Sequence, residues 1–236
     1  MSKARIWELD ALRGLCLLGM ILVHLVYDLT ELYGFFRWNY PPAFEFVMEW
    51  GGTAFFLISG ISATLGSRSL RRGGIVLGCG LLVSVVTIGM WKLGLSDEGI
   101  VIRFGVLHCL GICMVLWHIL KKLPIWALEV LGTALAALGI WAKNVRVDTP
   151  HLFWLGLVTS DFSSADYFPL LPFLGFFLLG TVLGRLLYAE KCSLLPKADR
   201  QNPVIRFLTL CGRHSLWIYL LHQPVLTGLM ELLLLF

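Results

Sequence analysis

The sequence predicts an all-α membrane protein, a polytopic helix bundle of about seven transmembrane helices with a cytoplasmic N-terminus, forming one domain over residues 1–236. Three observations predict it. Of the 236 residues, 58% are hydrophobic and only 14% are charged, with a mean hydropathy of +0.80. Soluble domains hold roughly 45–50% apolar and about 25% charged residues, so soluble, fibrous and disordered classes are excluded. The apolar residues come in long unbroken runs, not in the alternation of transmembrane β-strands. The basic residues collect in alternate connections between those runs, as the positive-inside rule requires.

Seven runs are long enough to consider as spans at about 20 residues each. The first, Ala11 to Thr30, is preceded by Lys3 and Arg5 mixed with Glu8 and Asp10. Its length and the lack of a small-residue cleavage site make it a retained signal-anchor helix. The second, Phe44 to Leu65, opens with Glu45 and Glu49 on one face, where a helix N-terminus favours carboxylates. The third and fourth run from Ile75 to Leu95 and from Ile100 to Leu120. The fifth, Ile125 to Ala142, carries Glu129 in its inner half. The sixth, Phe168 to Tyr188, follows Ser-Ala-Asp-Tyr-Phe-Pro, which reads as a helix cap with proline in the first turn. The seventh runs from Phe207 to Leu235. With the N-terminus inside, fourteen of the nineteen Lys and Arg fall on the inner side, and Arg37, Lys92, Arg103, Lys143 and Arg146 fall outside.

The formal net charge of +4 would suggest nucleic acid in a soluble protein. Here the basic residues flank apolar runs, so orientation accounts for them and no nucleic-acid partner is expected. The six cysteines show no metal-ligand spacing and read as packing residues.

Ionisable groups inside spans are costly and mark partners or cavities. Arg13 and His24 lie eleven residues apart on the first helix, roughly 16 Å along its axis and on nearly the same face. Asp28, one turn beyond His24, is placed to accept a hydrogen bond from the imidazole and raise the basicity of its other nitrogen. A structural alternative stands beside this reading: Arg13 snorkels to a salt bridge with Asp10, and His24 is an interhelical hydrogen-bonder. His108 falls near the middle of the fourth helix and His222 deep in the seventh, beside Pro224. The three histidines are expected to converge on one polar pocket, with no metal. Arg68, Arg71, Arg72, Lys121, Lys122 and Arg213 collect on the inner face, either for orientation or for a phosphate-rich cytosolic ligand.

Several blocks carry a family resemblance. They are Leu9-Asp10-Ala11-Leu12-Arg13-Gly14 followed by His24, Phe55-Phe56-Leu57-Ile58-Ser59-Gly60-Ile61, and Phe104-Gly105-Val106-Leu107-His108. Two more are Asp166-Tyr167-Phe168-Pro169-Leu170-Leu171-Pro172 and the stretch from Cys211 to Pro224. Together they resemble the small bacterial proteins built around a heparan-alpha-glucosaminide N-acetyltransferase-like catalytic domain. The Arg13-to-His24 spacing is also similar to that of the related acyltransferase-three family. The histidine that the lysosomal branch places just beyond its first helix has no counterpart here, because no histidine lies between His24 and His108.

The resemblance implies a single transmembrane acyltransferase domain in a bacterial inner membrane. It would move an acetyl group from cytosolic acyl-CoA to an amine or hydroxyl of a sugar-type acceptor on the outer side. By it, Arg13 would help hold the acyl-CoA and His24 would be catalytic. The residues themselves are read as adding Asp28 to the catalytic pair, Arg71, Arg72 and Arg213 to the acyl-CoA site, and His108, Asp166 and His222 to the acceptor cavity. Acetyl-CoA is then a co-substrate and the bilayer a partner, while homo-oligomerisation stays open. A proton-coupled small-molecule transporter is the rival, since intramembrane His, Asp and Arg also build proton relays. An odd number of spans gives it no inverted repeat.

Overall fold

The computed structural model describes residues 5–234; Lys3 and Leu235, which belong to the expected first flank and last run, lie outside them. Eight α-helices follow in order: α1 Trp7–Tyr27, α2 Pro42–Leu65, α3 Ser69–Lys92, α4 Val106–Leu120, α5 Ile125–Ala142, α6 Leu170–Leu187, α7 Pro203–Arg213 and α8 Ser215–Leu234. A π-helical turn, Asp28–Leu32, extends α1, and no strand occurs among the described residues. Among the described residues six helices are long and apolar enough to cross a membrane, so the chain is a multi-pass helical membrane protein.

Two expectations need correction. The fourth run yields only the 15-residue α4, which at about 1.5 Å per residue spans roughly 22 Å. The backbone at Gly105 is extended, and Asp166 Oδ2 accepts from the Val106 amide at 3.0 Å. The helix therefore starts six residues later than the apolar run does. Asp166, in the stretch expected to cap the sixth helix, thus caps the fourth, and Pro169 takes the N-cap position of α6.

The expected seventh run is two helices. Asn202 caps α7 by accepting from the Val204 and Ile205 amides at 3.0 and 3.4 Å, with Pro203 in the first turn. The chain leaves helical geometry at His214 and restarts as α8. Helix α7 is amphipathic: Thr209, Cys211 and Gly212 are buried, while Val204, Phe207 and Leu210 are exposed. Eleven residues cover about 16 Å, too short to span, and suit a helix lying in an interface.

The chain divides into two compact units, residues 1–58 with 190–236 and residues 59–189. In the first, α7 packs on α1 and α8 lies alongside α1. Glu8, buried at the foot of α1, accepts from Ser193 Oγ at 2.9 Å and from the Leu194 amide at 2.8 Å, anchoring the connection before α7. In the second, α3 pairs with α4 and α5 with α6 around Cys109, Cys113, Leu128, Phe177 and Leu178. Arg185, counted above as an orienting charge, donates to the Leu123 and Lys121 carbonyls and stacks over Trp117. Between α5 and α6, Tyr167 donates to the Phe153 carbonyl at 2.6 Å, and burial pushes its pKa up, keeping the hydroxyl a donor. All six cysteines are free, and Cys192 is exposed on a loop rather than packed.

Small residues set the helix spacing, as expected where lipid supplies no hydrophobic drive. At Gly73 an added Cβ would lie 2.8 Å from the Gly111 carbonyl oxygen and 2.9 Å from Met114 Cβ, whereas at adjacent Gly74 it would meet nothing within 4 Å. Gly73→Leu is therefore expected to destabilise the protein by about 2 kcal/mol through overpacking, and Gly74→Leu to leave it nearly unchanged. Thermal unfolding of both variants in detergent checks this contrast.

Candidate active site

Helix α1 carries a polar cluster at each end. At its foot the Asp10 carboxylate is buried and surrounded by arginines. Arg13 Nη1 stands 3.2 Å from Oδ1, while Arg213 Nε and Arg5 Nε stand 3.6 and 3.7 Å from Oδ2. Asp10 Oδ2 accepts no hydrogen bond, so its contacts with those two guanidinium groups are electrostatic. The Arg13 side chain is 17% exposed and that of Arg213 45%. Three guanidinium groups face one carboxylate, a positive excess turned partly toward solvent.

Two glycines allow this. An added Cβ at Gly212 would run into the Asp10 carbonyl oxygen, and one at Gly14 into the Leu208 carbonyl oxygen. Backbone therefore touches backbone where α1 and α7 cross, and the end of α7 delivers Arg213 to Asp10. The salt bridge expected between Arg13 and Asp10 forms, but Asp10 is shared among three arginines, which the sequence did not reveal.

At the other end of α1 the His24 and His222 rings lie 4.9 Å apart, centroid to centroid, tilted by 51°. His24 Nδ1 is 3.1 Å from the Met20 carbonyl, and His222 Nδ1 faces the Tyr219 carbonyl. A carbonyl oxygen only accepts, so each Nδ1 carries the proton in the neutral ring and each Nε2 keeps the lone pair.

The expected hydrogen bond from His24 to Asp28 does not form. Asp28, 1% exposed, instead accepts from Gln223 Nε2 at 3.1 and 3.2 Å, one bond to each carboxylate oxygen. The reason is geometric: the i−4 carbonyl of Met20 takes the imidazole N–H before the side chain one turn further on. Gln223 was absent from the sequence-level candidates. Its signal in the sequence is an amide next to His222 in a mostly apolar helix.

His108 and Asp166 belong to the other unit. His108 sits in the first turn of α4, not mid-helix. Its Nδ1 accepts from the Gly105 amide at 3.2 Å. Ser84 Oγ donates to the Ile102 carbonyl at 2.6 Å and so accepts from His108 Nε2 at 3.2 Å. Both ring nitrogens of His108 are thus engaged in the fold. Asp166 caps the same turn. Arg71 and Arg72 are exposed in the first turn of α3. No group of three or more His, Cys, Asp or Glu among the described residues is placed to hold a metal ion.

The decisive comparison is with known families. Residues 5–224 match the family model described as Heparan-alpha-glucosaminide N-acetyltransferase, catalytic. The chain belongs to this family. The match starts at Arg5 of the arginine cluster and ends at Pro224, directly after Gln223. Membership in the heparan-alpha-glucosaminide N-acetyltransferase family brings acetyltransferase chemistry in a membrane setting. No curated protein and no solved structure shows significant similarity to the chain.

Asp10 is the test of the arginine cluster's role in the fold. Replacing Asp10 by Asn leaves Arg13 and its neighbours without their counter-charge and is expected to cost about 3 kcal/mol, the scale for breaking a buried pair. A drop in melting temperature in detergent, partly relieved by added anions, is the expected result.

Proposed function

We propose that the protein is a transmembrane acetyltransferase that takes an acetyl group from cytosolic acetyl-CoA and passes it to an amine or hydroxyl of a sugar-type acceptor on the outer side. The observation that carries this reading is one rigid helix bearing an arginine cluster at one end and an imidazole pair at the other. Arg13 and His24 are separated by roughly 16 Å and share a face. The charge bias of the loops supports a cytoplasmic N-terminus, which puts the arginines inside and the imidazoles toward the outer leaflet. With the bacterial resemblance, it supports an inner-membrane location. The family match runs almost end to end, which supports one catalytic domain.

Coenzyme A is rich in phosphate, and guanidinium forks bind phosphate well. The residues present fit it: Arg213 and Arg5 are exposed enough to reach a ligand while still held by Asp10. Arg13 completes the set. The acyl-pantetheine arm then runs along α1 toward His24.

There the acceptor nitrogen or oxygen attacks the thioester carbonyl carbon. Its lone pair forms the new C–N or C–O bond, the C–S bond breaks, and the electron pair leaves on sulfur. His24 Nε2 takes the proton from the attacking atom and returns it to the thiolate, yielding acetylated acceptor and CoA thiol. His24 Nδ1–H stays on the Met20 carbonyl, which holds the tautomer a base needs. Asp28 orients Gln223 from α8, and His222 lines the acceptor side. His108 and Asp166 fix the start of α4.

His24→Ala is expected to abolish acetyl transfer, a loss of at least about 10²-fold, while acetyl-CoA binding and melting temperature stay close to wild type. Arg213→Ala is expected to weaken acetyl-CoA binding about tenfold, the scale of one charge-assisted hydrogen bond. Binding measured by calorimetry and transfer measured by acetyl-product release check both. An active His24→Ala variant overturns the assignment of the base.

A further inference from the structure

We propose that Gln223 binds the acceptor, its Oε1 receiving an N–H or O–H of the acceptor while His24 takes the proton from the attacking atom. The inference rests on the acetyltransferase reading above. Its starting point is an imbalance in one side chain. Gln223 Nε2 donates to both oxygens of the Asp28 carboxylate, at 3.1 and 3.2 Å. Gln223 Oε1 is buried and accepts no hydrogen bond. A flipped amide would point its oxygen at the carboxylate and lose both bonds, so Asp28 fixes which way the amide faces.

A buried amide oxygen left unpaired is costly, and here a folded side chain holds it in that state. Asp28 also polarises the amide, drawing on its N–H groups and leaving Oε1 the stronger acceptor. Gln223 follows His222 in sequence, and its partner Asp28 lies one helical turn beyond His24. Two acceptors, His24 Nε2 and Gln223 Oε1, thus belong to the polar cluster that joins α1 and α8. A ligand rich in N–H and O–H donors complements such a pair, as an amino sugar or polyol does. During transfer one hydrogen of the acceptor goes to His24, and a second, on the attacking nitrogen or on a neighbouring hydroxyl, stays on Gln223 Oε1.

The test uses the full chain in detergent, with acetyl-CoA as donor and glucosamine as acceptor probe. Gln223→Met keeps the side-chain length and removes the acceptor oxygen. It is expected to raise the KM for glucosamine about tenfold, with the KM for acetyl-CoA and acetyl-CoA binding within about twofold of wild type. A structural role would move donor and acceptor parameters together, and that result overturns the inference, as does an unchanged glucosamine KM.

Where Gln223→Met does not fold, the double variant Asp28→Asn with Gln223→Glu carries the test. It restores an amide–carboxylate pair in the opposite sense and leaves an acceptor oxygen at position 223. A glucosamine KM within about fivefold of wild type supports the proposal; a larger rise in a variant that still binds acetyl-CoA overturns it. Cyclohexylamine, which has no hydroxyl, separates the two hydrogen sources. Dependence on Gln223 retained with this probe assigns the attacking amine, and its loss assigns a ring hydroxyl. A wild-type chain that transfers nothing overturns the acetyltransferase reading and this inference with it. Transfer untouched by Gln223→Met overturns the inference alone.

Discussion

The buried carboxylate of Asp10 is the constraint on which the first unit depends. Without it, Arg5, Arg13 and Arg213 would repel one another where α1 meets α7. The carboxylate gathers them only because α7 comes within backbone contact of α1, and Gly14 and Gly212 permit that contact. The consequences run along the chain. Once Arg213 is held, α7 has ended, the turn at His214 follows, and α8 starts from a fixed point. From there α8 reaches His222 and Gln223 just as α1 reaches His24 and Asp28, and the two helices meet a second time through polar groups. The arginine cluster and the imidazole pair are thus two ends of one clamp.

Residue type alone does not separate a histidine of the fold from a histidine of a site; the use of its two nitrogens does. His108 accepts a backbone amide on one nitrogen and donates to Ser84 with the other, so acting as a base would break a contact that starts α4. His24 spends only Nδ1 on the backbone, and the proton this fixes leaves the lone pair on Nε2. One retained hydrogen bond of about 1 kcal/mol sets the tautomer, while proton transfer by a positioned base is worth several times that in a transition state. A weak structural bond in this way prepares the proton transfer proposed for His24.

Much of this was legible in the sequence, for identifiable reasons. Long apolar runs and loop charges reveal membrane helices because the bilayer penalises everything else. The Arg13-to-His24 spacing placed both residues on one face because helical periodicity is rigid. The split of the last run into α7 and α8 was not legible, because an amphipathic interfacial helix and a spanning one are both apolar when averaged over a window. The late start of α4 hid for a related reason: Asp166, 60 residues away, decides where that helix begins. The i, i+4 spacing does not give the partner of Asp28, because a position one turn away on the same helix is a weaker competitor than a nearby carbonyl or an amide from α8. An uncharged amide such as Gln223 carries no sequence signal of its own; its place in the site rests on an oxygen buried without a donor.

Placing both clusters on α1 has a mechanical consequence for the proposed chemistry. A donor as long as an acyl-pantetheine thioester must be held at its phosphate end while its reactive carbon is presented far away. Holding the two ends on separate mobile elements would let the carbon wander relative to the base. About three helical turns of α1 separate Arg13 from His24, and a helix hydrogen-bonded throughout does not change that length on binding. The reach of the donor arm is then measured against a fixed ruler, and the productive geometry is largely in place before the acceptor arrives, which is the main source of rate in positioning. Asp10 secures one end of the ruler and the Asp28–Gln223 pair the other. This explains why Asp10 and Asp28 serve to orient other side chains rather than to act as bases themselves.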